Sequence, residues 1–266
     1  MVESKDSLGD KLKAQEQAEA GRAADRGLPL MARLDGRAFH TFTKGLQRPY
    51  DMRLTMLMQD TMKFLVEETH AIVGYCQSDE ITLCWYNGTP EQYALTGSEY
   101  PFGGKFQKLT SVLAGMASSY FSRRIPSILR EKENFYPHFD CRVWNVPDMH
   151  HVYLNYLWRQ EDCIKNSISM AAQAHFSHKQ LQGVGSEQKK KMLVEIEHPW
   201  EDEPMSFRFG TFAKRRTAET ELSPEQLANI PAHHRPHGKV LRSTVNLECY
   251  DHLPKVENVQ AILFDK

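Results

Sequence analysis

The sequence is short of long apolar runs, paired cysteines and excess charge, and each shortage removes a class of protein. No hydrophobic stretch reaches the roughly 18 residues that a membrane span needs. The first segment, Met1 to Arg26, is polar and charged, with no apolar signal-peptide core. The five cysteines (Cys76, Cys84, Cys141, Cys163, Cys249) form no Cys-x-x-Cys pair and are odd in number, which argues for a reducing compartment and against a zinc site. Lys and Arg total 33 against 34 Asp and Glu, so the chain lacks the basic excess of a protein that grips any polyanion. There is no Gly-x-Ser-x-Gly elbow for a serine nucleophile. Gly183-Val184-Gly185 is only half of a phosphate-binding glycine loop. No internal repeat and no low-complexity tract appears. The expectation is a soluble, cytoplasmic protein with no membrane partner.

What is present is a mixed pattern of helices and strands over 266 residues, 41% of them hydrophobic, enough for a substantial core. Ser7 to Arg26 reads as a polar helix, stopped by Gly27-Leu28-Pro29. Leu30 to Leu34 reads as a strand ending at Asp35-Gly36. Asp51 is placed as an N-cap, and Leu54, Leu57, Met58, Thr61, Met62 and Leu65 recur behind it at helical spacing. Ala71 to Cys76 and Ile81 to Tyr86 are β-favouring runs separated only by Gln77-Ser78-Asp79-Glu80, which predicts a hairpin closed by Asn87-Gly88-Thr89-Pro90. A second amphipathic helix follows, with a stripe of Phe106, Leu109, Val112, Leu113, Met116, Ala117 and Tyr120. Phe139 to Val146 then reads as a strand. Met149 to Ala174 reads as a long helix, and Glu187 to Glu195 as a short one. Beyond it, Phe207 to Phe212 reads as a strand, Pro224 to Ala228 as a helix and Val240 to Leu247 as a strand. The order predicts an α+β fold, a ferredoxin-like antiparallel sheet of the polymerase-palm type with helices packed on one face. We treat residues 1–266 as one palm-type catalytic domain, with residues 217–266 the least recognisable part.

Two short acidic segments stand out. Asp35-Gly36 ends one apolar strand, and Asp79-Glu80 lies at the turn of the hairpin. If the first strand lies beside the hairpin, Asp35, Asp79 and Glu80 share one sheet edge. Three such anions repel unless a cation neutralises them. One or two Mg²⁺ ions, with oxygen ligands and room for substrate phosphates, are the simplest neutralising partner. Gly36 lets the backbone approach a phosphate, and Phe39 and His40 are placed beside a base or sugar. From spacing alone the same residues read equally as a solvated turn and a strand terminus. His175 and His178, three apart, are placed on one helix face, with no further ligand at metal spacing. A palm-type nucleotide cyclase and a non-enzymatic RNA-binding module fit this pattern as alternatives.

These segments resemble the tRNA-histidine guanylyltransferase superfamily, enzymes that add nucleotides to the 5′ end of tRNA in the 3′-to-5′ direction. The resemblance is carried by Arg33-Leu34-Asp35-Gly36-Arg37-Ala38-Phe39-His40-Thr41-Phe42, Arg48-Pro49-Tyr50-Asp51, Gln77-Ser78-Asp79-Glu80 and Phe139-Asp140-Cys141-Arg142-Val143. It continues through Trp158-Arg159-Gln160-Glu161-Asp162 and the stretch from His175 to Gly183. It implies two Mg²⁺ ions on Asp35, the Gly36 carbonyl and Asp79, with Glu80 completing a catalytic cluster of Asp35, Asp79 and Glu80. It also implies a nucleotide site of Asp35, Gly36, Arg37, Ala38, Phe39, His40, Arg48, Ser78, Asp79 and Asn166, with Lys105, Lys108 and Lys189 as basic contacts. The implied partners are tRNA, ATP, GTP and other nucleoside triphosphates, and the implied assembly is a homotetramer. One departure stands out. Where the eukaryotic guanylyltransferases carry His-Ile-Asn-Asn after the Trp-Arg-Gln-x-Asp-Cys motif, this chain has Ile164-Lys165-Asn166-Ser167. That stretch is similar to the guanylyltransferase-like proteins of bacteria and archaea, and the expected activity is template-dependent 5′-end repair. Addition of a 5′ guanosine to histidine tRNA is the alternative.

Overall fold

The structure, a computed structural model, describes residues 7–88, 99–236, 238–251 and 253. Thr89 and Pro90 of the expected closing turn, and His237, lie outside them. A polar helix α1 (Ser7–Ala20) opens the chain. It stops ahead of Gly21, sooner than expected, because glycine is a poor helix former. Then follow β1 (Leu30–Gly36), a single turn α2 (Phe39–Phe42) and α3 (Met52–Thr69). Asp51 caps α3 as expected, its side chain accepting from the Arg53 amide at 3.0 Å. The hairpin is β2 (Val73–Gln77) and β3 (Glu80–Trp85), followed by α4 (Phe106–Ile128), β4 (Phe139–Asn145) and the long α5 (Met149–His175). The rest is α6 (His178–Leu181), α7 (Ser186–Glu195), α8 (Met205–Phe209), β5 (Thr211–Thr220), α9 (Pro224–Ala228) and β6 (Val240–Glu248).

The six strands form one sheet in the order β4-β1-β3-β2-β5-β6, with every described neighbouring pair antiparallel. The first four strands, read with α3 and α4 between them, have the ferredoxin-like arrangement. Alternation along β1 sorts the two faces. Leu30, Ala32 and Leu34 face α3 and α4, packing with Met58, Met62, Leu65, Leu109, Leu113 and Phe121. Met31 faces the other way and joins Val73, Tyr75, Cys84, Tyr156 and Phe212 beneath α5. The helices of the ferredoxin-like core thus share one face as expected, while α5 covers the opposite face, which the sequence reading left bare.

Two local expectations change. Phe207–Phe212 is not one strand: Phe207 to Phe209 end α8, and only Thr211 and Phe212 belong to β5. Pro204 starts α8, and Gly210 at φ +74° ends it before β5 begins. A Cβ at Gly210 would sit 2.4 Å from the Tyr75 hydroxyl, so glycine is required there on two counts. His175 and His178 do not share a helix face: Phe176 and Ser177 separate α5 from α6, and His175 instead stacks on His198 at 4.5 Å. Among the described residues no helix is long and apolar enough to cross a membrane.

Candidate active site

The site is built where β1 ends beside the β2–β3 turn. Asp35 is the Cα partner of Glu80 on one side and of Asp140 on the other. Directly opposed residues share a sheet face, so the three carboxylates lie in a row across β3, β1 and β4. Gln77 and Glu80 are the last ladder pair of the hairpin, which leaves Ser78-Asp79 as a two-residue turn with Ser78 at φ +49°. The Gly36 amide donates to the Asp79 carbonyl at 3.1 Å, tying the end of β1 to that turn. Asp35 therefore meets Asp79 and Glu80, adjacent to each other but distant from it in sequence, at one sheet edge.

Electrostatics registers the meeting. Burial raises the Asp79 pKa above the usual carboxylate value, and the Asp35 charge raises it further; the Ser78 hydroxyl, donating at 3.1 Å, works against both. Burial also raises Glu80, with Asp35 adding to it, although Arg159 and Arg33 oppose the shift. Arg159 on α5 donates to Glu80 Oε2 at 3.0 Å, and Arg33 lies 3.7 Å from the same oxygen. Glu80 Oε1 is buried without a hydrogen-bond partner.

A metal ion fits this edge in its chemistry. The donors are all oxygen, as Mg²⁺ prefers. A buried carboxylate oxygen is left orphaned, and Asp79 and Glu80 hold their protons more tightly than usual, chiefly because they are buried, with the Asp35 charge adding to it. Among the described residues no three His, Cys, Asp or Glu side chains already converge as a complete metal cluster. Carbonyls and substrate phosphates would have to complete the coordination.

Two adjoining cavities, of about 600 and 400 Å³, meet at the turn. Asp79, Ser78, Gln77 and Asn166 line both, and Asp35 and Glu80 line the smaller. Of the sequence-expected residues, Gly36, Ala38, Phe39, His40 and Arg48 line the larger cavity. Ala38 turns the chain there in the left-handed region, at φ +56°. Phe39, however, is a core residue. It is only 3% exposed and sits among the rings of Phe42, Phe121 and Phe139. Its ring also explains Gly36, because a Cβ there would lie 2.4 Å from it. Lys189 on α7 reaches the rim, donating to Ser169 at 3.1 Å. Asn166 donates to Asp162 at 3.2 Å.

Besides Lys189, which reaches the rim only through Ser169, three expected residues fall outside both cavities. Arg37 is exposed, with its amide on the His138 carbonyl at 2.8 Å. Lys105 and Lys108 lie at the start of α4. There the Gly104 carbonyl accepts from Ala24 and the Phe106 amide donates to Arg22, next to the Leu30 end of β1. The whole length of β1 separates them from Asp35, so within one chain the structure does not bring them to the acidic edge. Other wall residues were not among the expected site residues. Tyr50 stacks on Phe207 at 4.7 Å, and Cys163 has its thiol pushed up to about 12 by burial.

An acidic edge on an antiparallel palm-type sheet, opening onto a cavity of nucleotide size, is the arrangement of a nucleotidyltransferase. The model of the Thg1 family, tRNAHis guanylyltransferase, matches residues 11–147. That is just over half of the chain, and the chain belongs to this family of nucleotidyltransferases acting on tRNA. Solved bacterial tRNA(His) guanylyltransferase (Thg1)-like proteins share the fold. One in complex with ATP is 32% identical, with a TM-score of 0.71, over 79% of this chain and 87% of the other. One in complex with GTP is 28% identical, with a TM-score of 0.70, over 97% of this chain and all of the other. The tRNA(His) guanylyltransferase of Schizosaccharomyces pombe is 32% identical over 151 residues, 54% of each protein.

Proposed function

We propose that this chain adds nucleotides to the 5′ end of tRNA in the 3′-to-5′ direction, in a template-dependent repair reaction. The observation that carries the proposal is the convergence of Asp35 and Asp79 on one edge above the paired cavities. In the proposed reaction the 5′-monophosphate of the RNA attacks the α-phosphorus of ATP, and pyrophosphate leaves. The 3′-hydroxyl of an incoming nucleoside triphosphate then attacks the activated 5′ phosphate, and AMP leaves. A 5′-triphosphorylated RNA needs no first step.

The chain's own residues supply position and charge. Asp35, the Gly36 carbonyl and Asp79 would hold two Mg²⁺ ions, with Glu80 closing the acidic set. When bound, the ions supply Lewis-acid stabilisation of phosphate charge and activation of the attacking hydroxyl. Ala38, His40, Arg48 and Ser78 line the space for ATP or GTP. Arg37 and Lys189 flank it, and Asn166 stands where the cavities meet. Phe39 acts from below, fixing the turn through its packing on Gly36. Lys105 and Lys108 would serve a nucleotide or RNA only from another subunit, which accords with a homotetramer in which one tRNA spans subunits. The described cysteines are all free thiols, which supports a reducing, cytoplasmic setting.

The repair reading rests on the departure from the eukaryotic His-Ile-Asn-Asn motif at Ile164 and Ser167. Ser167 accepts from the Trp200 indole at 3.1 Å and donates to the Ile164 carbonyl at 3.0 Å, so it serves the packing of α5 against the segment after α7. The test offers a tRNA lacking its first nucleotide and a complete tRNA-histidine. Pairing-dependent extension of the truncated RNA is expected; addition to the complete tRNA alone would overturn the repair reading. Cyclic nucleotide formed from a triphosphate without RNA would instead favour a cyclase.

A further inference from the structure

Trp158 is a large apolar side chain that is 54% exposed on α5, while its neighbours Tyr153, Tyr156 and Leu157 do the packing. Exposure of one tryptophan is not unusual in itself. Its setting is. The Arg159 guanidinium lies 3.5 Å from the Trp158 ring centroid. Arg159 is itself buried and pinned, with Glu80 at 3.0 Å and Asp162 at 3.8 Å. The ring is therefore backed by a fixed cation that touches the acidic edge directly.

Helical spacing gives the direction. Trp158, Asp162 and Asn166 are four apart and share one face of α5, and Asp162 and Asn166 line the smaller cavity beside Asp35 and Asp79. On the sheet, Arg142 lies two residues along β4 from Asp140, on the same face as Asp35, with its side chain 58% exposed and 3.8 Å from the Asp140 carboxylate. An aromatic surface, a backing guanidinium and an exposed arginine, continuous with a carboxylate edge, are the elements that bind single-stranded nucleic acid: bases stack on the ring and the backbone meets the cation.

The geometry points to Trp158 as a stacking platform for an RNA base next to the acidic edge, with Arg142 for the adjoining phosphate. This rests on the proposed function, since the RNA is the 5′-truncated substrate. Trp158 acts as a positioning residue. It holds the RNA strand, and the reacting atoms lie at Asp35 and Asp79.

The test separates stacking from simple cover over Arg159. Trp158→Leu keeps apolar bulk without a ring; Trp158→Phe keeps a ring. Each is assayed with labelled 5′-truncated tRNA for binding, and in turnover for KM of RNA and of nucleoside triphosphate. Stacking predicts that Trp158→Leu weakens RNA binding about tenfold with the nucleotide KM unchanged, and that Trp158→Phe recovers most of the loss. Wild-type RNA affinity in Trp158→Leu would overturn the inference, as would an altered oligomeric state in light scattering with RNA affinity intact. If the wild-type protein extends no RNA at all, the proposed function fails instead, and the binding arm still reports on Trp158.

Discussion

Asp35 on β1 stands directly across the ladder from Glu80 on β3, and the two carboxylates have different neighbours. Glu80 is held by Arg159 and Arg33, whereas the Asp35 charge is felt by Asp79 across the turn. The edge thus divides into a neutralised carboxylate and an uncompensated pair. That division orders the predictions.

Asp35→Ala and Asp79→Ala each remove an edge carboxylate and no packing. Both variants are expected to keep the wild-type circular dichroism spectrum, and to lose nucleotide incorporation by at least a hundredfold, the order seen when a preorganised charge-stabilising group is lost. Turnover within a few-fold of wild type in both variants contradicts the assignment.

The raised pKa of Asp79 makes a signed prediction. The folded chain binds this proton more tightly than the unfolded one. The associated stability is therefore full below the ordinary value of 3.8 and is lost as pH rises through the folded value. At neutral pH the ionised group works against folding. Asp79→Asn should melt higher than wild type at pH 7 without Mg²⁺, and the gap should narrow as pH falls towards 3.8. Mg²⁺ should raise the melting temperature of the wild type more than that of the variant. A variant that melts lower at pH 7 is the contrary result in a calorimetric pH series.

Gly36→Ala places a methyl group against the Phe39 ring, with three ring atoms within 2.7 Å. The ring is locked among Phe42, Phe121 and Phe139 and cannot swing aside cheaply. Overpacking of this kind costs about 1–3 kcal/mol. It should also shift the turn after β1, so urea denaturation and turnover should fall together. Unchanged stability would mean that the ring is free to move.

Arg159→Ala leaves Glu80 buried without its nearest cation, and breaking one side of a buried pair destabilises by about 3 kcal/mol. Arg159→Lys should restore part of this. The pKa of Glu80 should rise further in the Ala variant, because burial and Asp35 then meet less opposition. Equal stability of Arg159→Ala and wild type in urea titration contradicts the pairing.

Much of this arrangement is legible in the sequence, for definite reasons. β1, α3 and the hairpin carry strong periodicity, and a four-residue gap, Gln77 to Glu80, between β-favouring runs leaves Asp79 little choice but the turn. Phe207 and Phe209 alternate with a strand's period, but Gly210 divides the run and the residues before it are helical. Phe39 follows the acidic motif closely, so chemistry suggested a base contact where packing on Gly36 decides. The pairing of Glu80 with Arg159, 79 residues apart, left no local signal. Nor did the placement of Lys105 and Lys108 at the far end of β1, which depends on how the chain returns after the hairpin.

The most direct measurement incubates 5′-labelled, 5′-truncated tRNA with ATP and each nucleoside triphosphate in turn, using wild type and Asp79→Ala. The account predicts Mg²⁺-dependent lengthening by the nucleotide that pairs with the template position, absent in the variant. Lengthening that ignores the template, or that survives in Asp79→Ala, contradicts it.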